Sequence, residues 1–302
     1  MYDVLIIGAG AAGLTAALYA SRKKLKTIVI SSDIGGQTAL PASIENYPGF
    51  EKIAGAELMG KIYSQAFKWG AEIIQGHVIK VSEEKKIFNV TLENKKEYKT
   101  RALILAAGKI PKLMNVPGEK EFMGRGVSSC VTCDGPFYKD KIAAIVGGGN
   151  SAVGGAVELS KIAKKVYLIH RRDEFRADPV EVEKVKTLKN VELVLNSIPV
   201  EVKGEQTVQA LVVENANSKE QRELLVNGVF VEIGYFVDSE FLKGFLELNE
   251  RGEIKTDNAG QTSRKGVFAA GDVTTVPFKQ TVISAGEGAK AALSAFNYLE
   301  SQ

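Results

Sequence analysis

Cys130 and Cys133 are the only cysteines of the chain, set as Cys130-Val131-Thr132-Cys133-Asp134-Gly135. Two residues between two thiols let the sulfurs close a small disulfide ring, and such pairs can hold one thiol pKa at ~7 or below. A thiolate made this way attacks a partner disulfide, and the second cysteine resolves the mixed disulfide. Asp134 follows directly. It can be an acid/base, because each exchange step moves a proton, or a plain loop or cap aspartate. Zinc is the other chemistry that gathers cysteines. It takes four side chains, and the two histidines, His77 and His170, are far from the cysteines in sequence. No metal site is expected. Two small buried hydrophobes remain the plain alternative, but the polar flank and the glycine favour chemistry.

Two copies of one design must position this pair. Residues 4–7 read as a strand, followed by Gly8-Ala9-Gly10-Ala11-Ala12-Gly13, a helical run over 14–23 and a second strand over 27–31. Residues 143–146 open the same series, with Gly147-Gly148-Gly149-Asn150-Ser151-Ala152, a helical run over 153–163 and a strand over 166–169. This is the strand–turn–helix–strand unit that opens a dinucleotide-binding domain. The first glycine permits the tight turn, the second lets backbone approach a pyrophosphate, and the third, or an alanine, lets helix and strand pack closely. The helix N-terminus offers N–H groups and partial positive charge to the phosphates. One such motif is weak evidence; two in correct context point to two nucleotides in one chain.

The nucleotides are distinguished at the end of each second strand, where the adenosine ribose sits. In the second copy that place reads His170-Arg171-Arg172-Asp173-Glu174-Phe175-Arg176. Three arginines there suit a 2′-phosphate through charge-assisted contacts, which argues for NADPH over NADH; a solvated basic turn is the plain alternative. His170 either caps local backbone or meets the nucleotide. In the first copy the place reads Ser31-Ser32-Asp33, and Asp33 can hold a ribose although serines occupy the usual strand end.

The remaining composition is that of an ordinary soluble protein. The chain has 302 residues, 45% hydrophobic and 25% charged, with 39 basic against 36 acidic side chains for a net charge of +3. That length suits two domains, and that balance does not call for nucleic acid or an anionic membrane. The opening runs straight into an apolar strand with no basic start or cleavage site, and no apolar run approaches the ~18 residues of a membrane span. A cytoplasmic protein without a membrane partner is expected. Further strands are expected over 71–81, 86–92, 101–107, 191–195, 208–214, 228–233 and 266–270, helices over 55–69 and 285–299, and linkers over 112–119 and 234–239.

With these residues in place, the chain resembles the low-molecular-weight thioredoxin reductases. The centre Cys130-Val131-Thr132-Cys133-Asp134-Gly135 is similar to that family's C-A-T-C-D-G and lies, as there, between the two glycine motifs. The segment 170–176 matches the family's H-R-R-x-x-x-R signature. Residues 266–273 (GVFAAGDV) resemble its second FAD segment, and 34–38 with 44–50 its flavin-contacting region. The resemblance implies an α/β fold of two Rossmann-like dinucleotide-binding domains of three-layer ββα type, with the NADPH domain (113–239) inserted into an FAD domain (1–112 and 240–302). It implies FAD contacts from Gly8, Gly10, Gly13, Asp33, Gly36, Gln37, Asn46, Gly108, Gly271, Asp272, Lys279 and Gln280. It implies NADPH contacts from Gly147, Gly149, Asn150, Ser151, Ala152, His170, Arg171, Arg172 and Arg176.

The resemblance further implies that Cys133 faces the flavin, Cys130 attacks the partner and Asp134 supplies the proton. The partner would be thioredoxin or a thioredoxin-like small protein, the assembly a homodimer, and turnover gated by rotation about the two linkers. The absence of a leading thioredoxin-like domain argues against the longer alkyl hydroperoxide reductase flavoproteins. The chain departs from the family at Gly154-Gly155, which replaces a commonly acidic pair, and at Lys279, which replaces an arginine. It also departs at Ala106-Ala107-Gly108 and at 233–238, which lacks the usual proline–asparagine pair. Alternative functions are a reductase of glutaredoxin-like, peroxiredoxin-system or small-molecule disulfides, a ferredoxin–NADP reductase-like flavoprotein, and a non-catalytic nucleotide sensor.

Overall fold

The structure, a computed structural model, describes residues 1–41 and 44–302. The chain starts with β1 (Tyr2–Ala9), α1 (Ala11–Arg22) and β2 (Thr27–Ile34). It continues through α2 (Gly55–Lys68), β3 (Glu72–Gln75), β4 (Val78–Glu84), β5 (Ile87–Leu92) and β6 (Glu97–Leu105). After the short β7 (Ile110–Pro111) come β8 (Val127–Ser128), α3 (Val131–Asp134), β9 (Ile142–Val146), α4 (Asn150–Leu159), β10 (Lys165–Ile169), α5 (Pro179–Thr187) and β11 (Val191–Val194). Then follow β12 (Ser197–Gly204), β13 (Val208–Asn215), β14 (Gln221–Leu225) and β15 (Gly228–Val231). β16 (Tyr235–Phe236) pairs with β7, and β17 (Val267–Ala269) and α6 (Thr281–Glu300) close the chain. Two compact units result: Met1–Ile110 with Phe236–Gln302, and Pro111–Tyr235.

In the first unit β3, β2, β1, β6 and β17 form a parallel sheet. β6 is long enough to serve two partners along one edge: residues 97–100 pair antiparallel with β5, and 103–105 pair parallel with β17. β1 alternates between two cores. Val4 and Ile6 belong to the core built with α1, α2 and α6, while Leu5 and Ile7 belong to the core built with the β4–β5 meander. Burial on both faces explains the unbroken apolar run that β1 shows in sequence. The packing of α1 on α6 depends on small residues. A Cβ at Gly288 would lie 2.0 Å from the Ala12 carbonyl oxygen.

The second unit repeats the plan. Its parallel sheet runs β11-β10-β9-β15-β8, and β12, β13 and β14 form an antiparallel sheet. Ala143, Ile145, Val166 and Leu168 pack with α4 and α5, while Ala144, Val146, Tyr167 and Ile169 pack with the antiparallel strands. Both units therefore have the expected three-layer ββα architecture. Among the described residues, no helix is long and apolar enough to cross a membrane.

Several elements differ from expectation. The strand expected over 71–81 is two strands. β3 pairs parallel with β2, whereas β4 pairs antiparallel with β5, so the chain breaks between them at Gly76-His77. β2 extends to Ile34, and α6 begins at Thr281 rather than at 285. β12, β14 and α5 were not expected. α5 had a start signal: Asp178 is its N-cap and accepts from the Val180 N–H, with Pro179 at the first helical position.

Candidate functional site

The first glycine turn is crowded where the chain bends and open where a ligand would come. Gly8 has φ +107°, and a Cβ there would lie 2.2 Å from the Ala106 carbonyl oxygen. At Gly13 a Cβ would lie 1.8 Å from the Gly8 carbonyl oxygen. At Gly10, the N-cap of α1, it would meet nothing within 4 Å. Unblocked backbone at a helix N-terminus is what a pyrophosphate needs, so this cradle fits a dinucleotide.

The other residues predicted for this nucleotide lie in the same unit. Gly36 comes against Gly10, its Cβ position 3.3 Å from the Gly10 Cα. Asn46 Nδ2 donates to Gln280 Oε1 at 3.3 Å, joining two segments 234 positions apart. The Gly271 N–H donates to Glu287 Oε2 at 2.9 Å, and Ser284 Oγ donates to Asp272 Oδ1 at 3.2 Å. Burial holds the Asp272 carboxyl above its ordinary range, opposed by the positive charges of Lys109 and Lys279. The Lys279 ammonium donates to the carbonyl oxygens of Asp272 and Thr274 and pairs with Glu253 at 3.3 Å. Gly108 has φ +67° and open space beside it. Gln37 is exposed on the short turn Gly36–Ala39, and Asp33 is exposed near the end of β2. Next to Asp33, Ser32 Oγ hydrogen-bonds His77 Nδ1 at 3.2 Å.

The second turn has the same pattern. A Cβ at Gly147 would lie 2.3 Å from the Glu232 carbonyl oxygen, while one at Gly149, the N-cap of α4, would meet nothing within 4 Å. Ala152 fills the third position, its Cβ 2.7 Å from the Cβ position of Gly147. Asn150 and Ser151 are the first residues of α4, and Asn150 Oδ1 accepts from the Asp178 N–H at 2.7 Å. Arg171, Arg172 and Arg176 are exposed, and the Arg176 N–H donates to the Gly148 carbonyl at 2.7 Å. The arginine segment is thus tied to the glycine turn. His170 lies beneath both: it is buried, stacks on Phe175, and occupies the space a Gly148 side chain would need. Burial holds its pKa down, helped by the three arginine charges.

The two cysteines form a disulfide, with Cα atoms 5.3 Å apart. Cys130 is the N-cap of the one-turn α3, and the Cys133 N–H donates to Cys130 Sγ at 3.2 Å. A hydrogen bond to sulfur favours its thiolate form. Val131, between them, is buried against α4, where a Cβ at Gly155 would lie 2.9 Å from Val131 Cγ2. Gly155 therefore lets α4 approach the redox turn, while Gly154 faces open space. Burial raises the Asp134 carboxyl above its ordinary range, and a hydrogen bond from Ser128 opposes this. Tyr138 is pushed up to about 12 by burial and by the charge of Asp134.

Sequence reasoning missed Ser128, Tyr235, Glu253, Ser284 and Glu287. Only Glu287 left a signal, as an acidic residue within the small-residue run that forms α6. The others act through hydrogen bonds or ion pairs that spacing does not encode.

A family model described as pyridine nucleotide-disulphide oxidoreductase matches residues 2–289. An alkyl hydroperoxide reductase protein of Pseudomonas putida is 41% identical over 302 residues, covering 99% of this chain and 58% of that protein. The chain thus spans little more than half the length of that relative. Thioredoxin reductase of Bacillus subtilis is 42% identical over 302 residues, covering 99% of this chain and 95% of that one. The crystal structure of thioredoxin reductase from Streptococcus pyogenes superposes with a TM-score of 0.96 at 37% identity, covering 100% of this chain and 99% of that one.

Proposed function

The chain belongs to the pyridine nucleotide-disulphide oxidoreductase family, and from that premise we propose that it is an NADPH-dependent flavoprotein reducing the disulfide of thioredoxin or a thioredoxin-like small protein. The observation that carries this reading is that the Cys130–Cys133 turn packs on α4, the helix whose N-terminus forms the arginine-flanked cradle. In this reading Met1–Ile110 with Phe236–Gln302 holds FAD, and Pro111–Tyr235 holds NADPH. The protein works as a homodimer in the cytoplasm.

FAD, when bound, supplies a two-electron relay between a reduced nicotinamide and a disulfide. Gly10 leaves α1 open to its pyrophosphate, and Asp272, Asn46 and Gln280 of the same unit would offer it polar groups. Arg171, Arg172 and Arg176 would hold the 2′-phosphate of NADPH. Once Cys130 and Cys133 are thiols, the Cys130 thiolate attacks one sulfur of the partner disulfide. A mixed disulfide forms, and the other partner sulfur leaves as a thiolate, which Asp134 protonates. Cys133 then attacks Cys130, expels the second partner thiol and restores the Cys130–Cys133 bond. The balance is one NADPH and one proton consumed per partner disulfide, giving NADP⁺ and two thiols.

Steady-state turnover tests this. NADPH should be oxidised one-for-one with thioredoxin disulfide, and NADH should serve far less well. Absence of disulfide-dependent NADPH oxidation would overturn it. The likeness to the alkyl hydroperoxide reductase protein supports a second reading, in which a thioredoxin-like carrier passes the electrons to a peroxiredoxin. Peroxide-dependent turnover that requires both added proteins would favour it.

A further inference from the structure

The peptide group joining Ser129 to Cys130 is held at both poles by side chains. Its carbonyl accepts a hydrogen bond from the Tyr235 hydroxyl at 2.5 Å. Its N–H donates to Ser128 Oγ at 3.1 Å. We propose that Tyr235 and Ser128 clamp this peptide and are positioning residues for the Cys130 sulfur. The proposal deepens the disulfide-reductase reading and rests on it.

The Ser129–Cys130 peptide plane is the frame from which φ of Cys130 places its Cα–Cβ bond, so a plane free to tilt leaves the sulfur loosely set. Pinning both ends of the plane removes that freedom and costs no main-chain pairing. The clamp has consequences on both sides. The Ser128 hydroxyl has a proton left to give after accepting from Cys130, and it bonds the Asp134 carboxyl. The pole that holds Cys130 therefore also touches the proposed proton donor. Tyr235 comes from β16, where the chain leaves the second unit, and the carbonyl of its neighbour Gly234 accepts from the Lys112 N–H at 2.9 Å. One crossing between the units thus contributes the hydroxyl that orients the attacking thiol. A buried tyrosine hydroxyl commonly finds some backbone acceptor. Here two strands, β8 and β16, converge on the same peptide, immediately before a reactive residue.

A correctly set Cys130 receives the Cys133 N–H on its sulfur. Loosening the clamp weakens that bond and returns Cys130 toward an ordinary thiol. Among the described residues, the titratable groups set in or bonded to the turn include Cys133, Asp134 and Tyr235, with Asp134 acting on Tyr138; from α4, Gly155 and Leu159 meet it, and neither titrates.

The test uses full-length protein reduced with dithiothreitol, so it needs neither NADPH nor a partner. Alkylation of Cys130 and Cys133 is followed separately by mass spectrometry across pH for wild type, Tyr235→Phe and Ser128→Ala, with Tm confirming the fold. Both variants should raise the pH midpoint for Cys130 and slow its alkylation at neutral pH by about three- to tenfold, the weight of one hydrogen bond. Cys133 should be unchanged. An unaltered Cys130 midpoint in folded variants would overturn the clamp. If Tyr235→Phe fails to fold, Ser128→Ala alone decides. Wild-type thiols that NADPH never reduces would sink the functional reading instead, a separate outcome.

Discussion

Gly8 and Gly147, at the end of β1 and just beyond β9, are crowded alike, their Cβ positions 2.2 and 2.3 Å from backbone carbonyl oxygens of Ala106 and Glu232. Gly10 and Gly149, the N-caps of α1 and α4, are open alike. The two cradles part company elsewhere. The third position is Gly13 in one and Ala152 in the other, and the second strand leads to Ser31-Ser32-Asp33 in one and His170-Arg171-Arg172 in the other. The shared part is the mechanics of bringing a phosphate to a helix end. In the proposed function the part that differs carries the choice of nucleotide; it includes an arginine segment tied to its glycine turn by the Arg176 N–H, above the buried His170 ring.

The third position gives the largest expected effect. Gly13→Ala puts a Cβ 1.8 Å from a carbonyl oxygen and should destabilise the protein by about 3 kcal/mol, at the upper end for overpacking. Ala152→Gly should cost only about 1 kcal/mol, as for glycine in a helix. Urea unfolding of the two variants checks the contrast, and equal costs would break it. Next come the strand ends. Removing Arg171 and Arg172 together should cut the preference for NADPH over NADH by about 10- to 100-fold, seen as a rise in KM for NADPH alone. Asp33→Ala should leave that preference untouched.

A smaller effect separates two buried carboxyls. In both, burial raises the pKa, but Asp272 has Lys109 and Lys279 opposing it, while Asp134 has only the Ser128 hydroxyl. A carboxyl with a raised folded-state pKa favours folding while protonated, and that contribution is lost as pH rises through its folded value. Asp134→Asn should therefore leave Tm unchanged in acid and raise it at neutral pH, while slowing disulfide exchange. Asp272→Asn should raise neutral Tm less, because it also removes the attraction to two lysines. The smallest effect lies outside both cradles. Lys85 and Lys86, in the turn between β4 and β5, have φ of 50° and 65°. Lys86→Gly relieves one left-handed side chain and should add about 0.5–1 kcal/mol. It should leave FAD retention and the KM for NADPH as they were.

The parts of the site built from contiguous residues were legible in sequence, because their chemistry depends on spacing. The glycine turns, the cysteine pair and the arginine segment are all of this kind. Parts made by the fold were not. Ser129 and Tyr235 are 106 positions apart and meet only because β15 and β8 lie side by side in one sheet, bringing the segments that follow them together. β14, with Gln221, Arg222 and Glu223 exposed in succession, has no apolar alternation to announce it. In sequence Gly154-Gly155 is only a departure from the family pattern, a pair that either allows closer approach or is a tolerated variation. Its second member turns out to be the surface against which Val131 seats the redox turn.

In the proposed function, reducing equivalents entering at the arginine-flanked cradle reach the Cys130–Cys133 bond. Anaerobic titration of the purified protein with NADPH, quenched with an alkylating reagent at each step, tests it most directly. A yellow protein is expected, its flavin absorbance bleaching while both cysteines become alkylated, with two electrons per disulfide. A colourless protein, or a bleached flavin beside an intact Cys130–Cys133 bond, would contradict it.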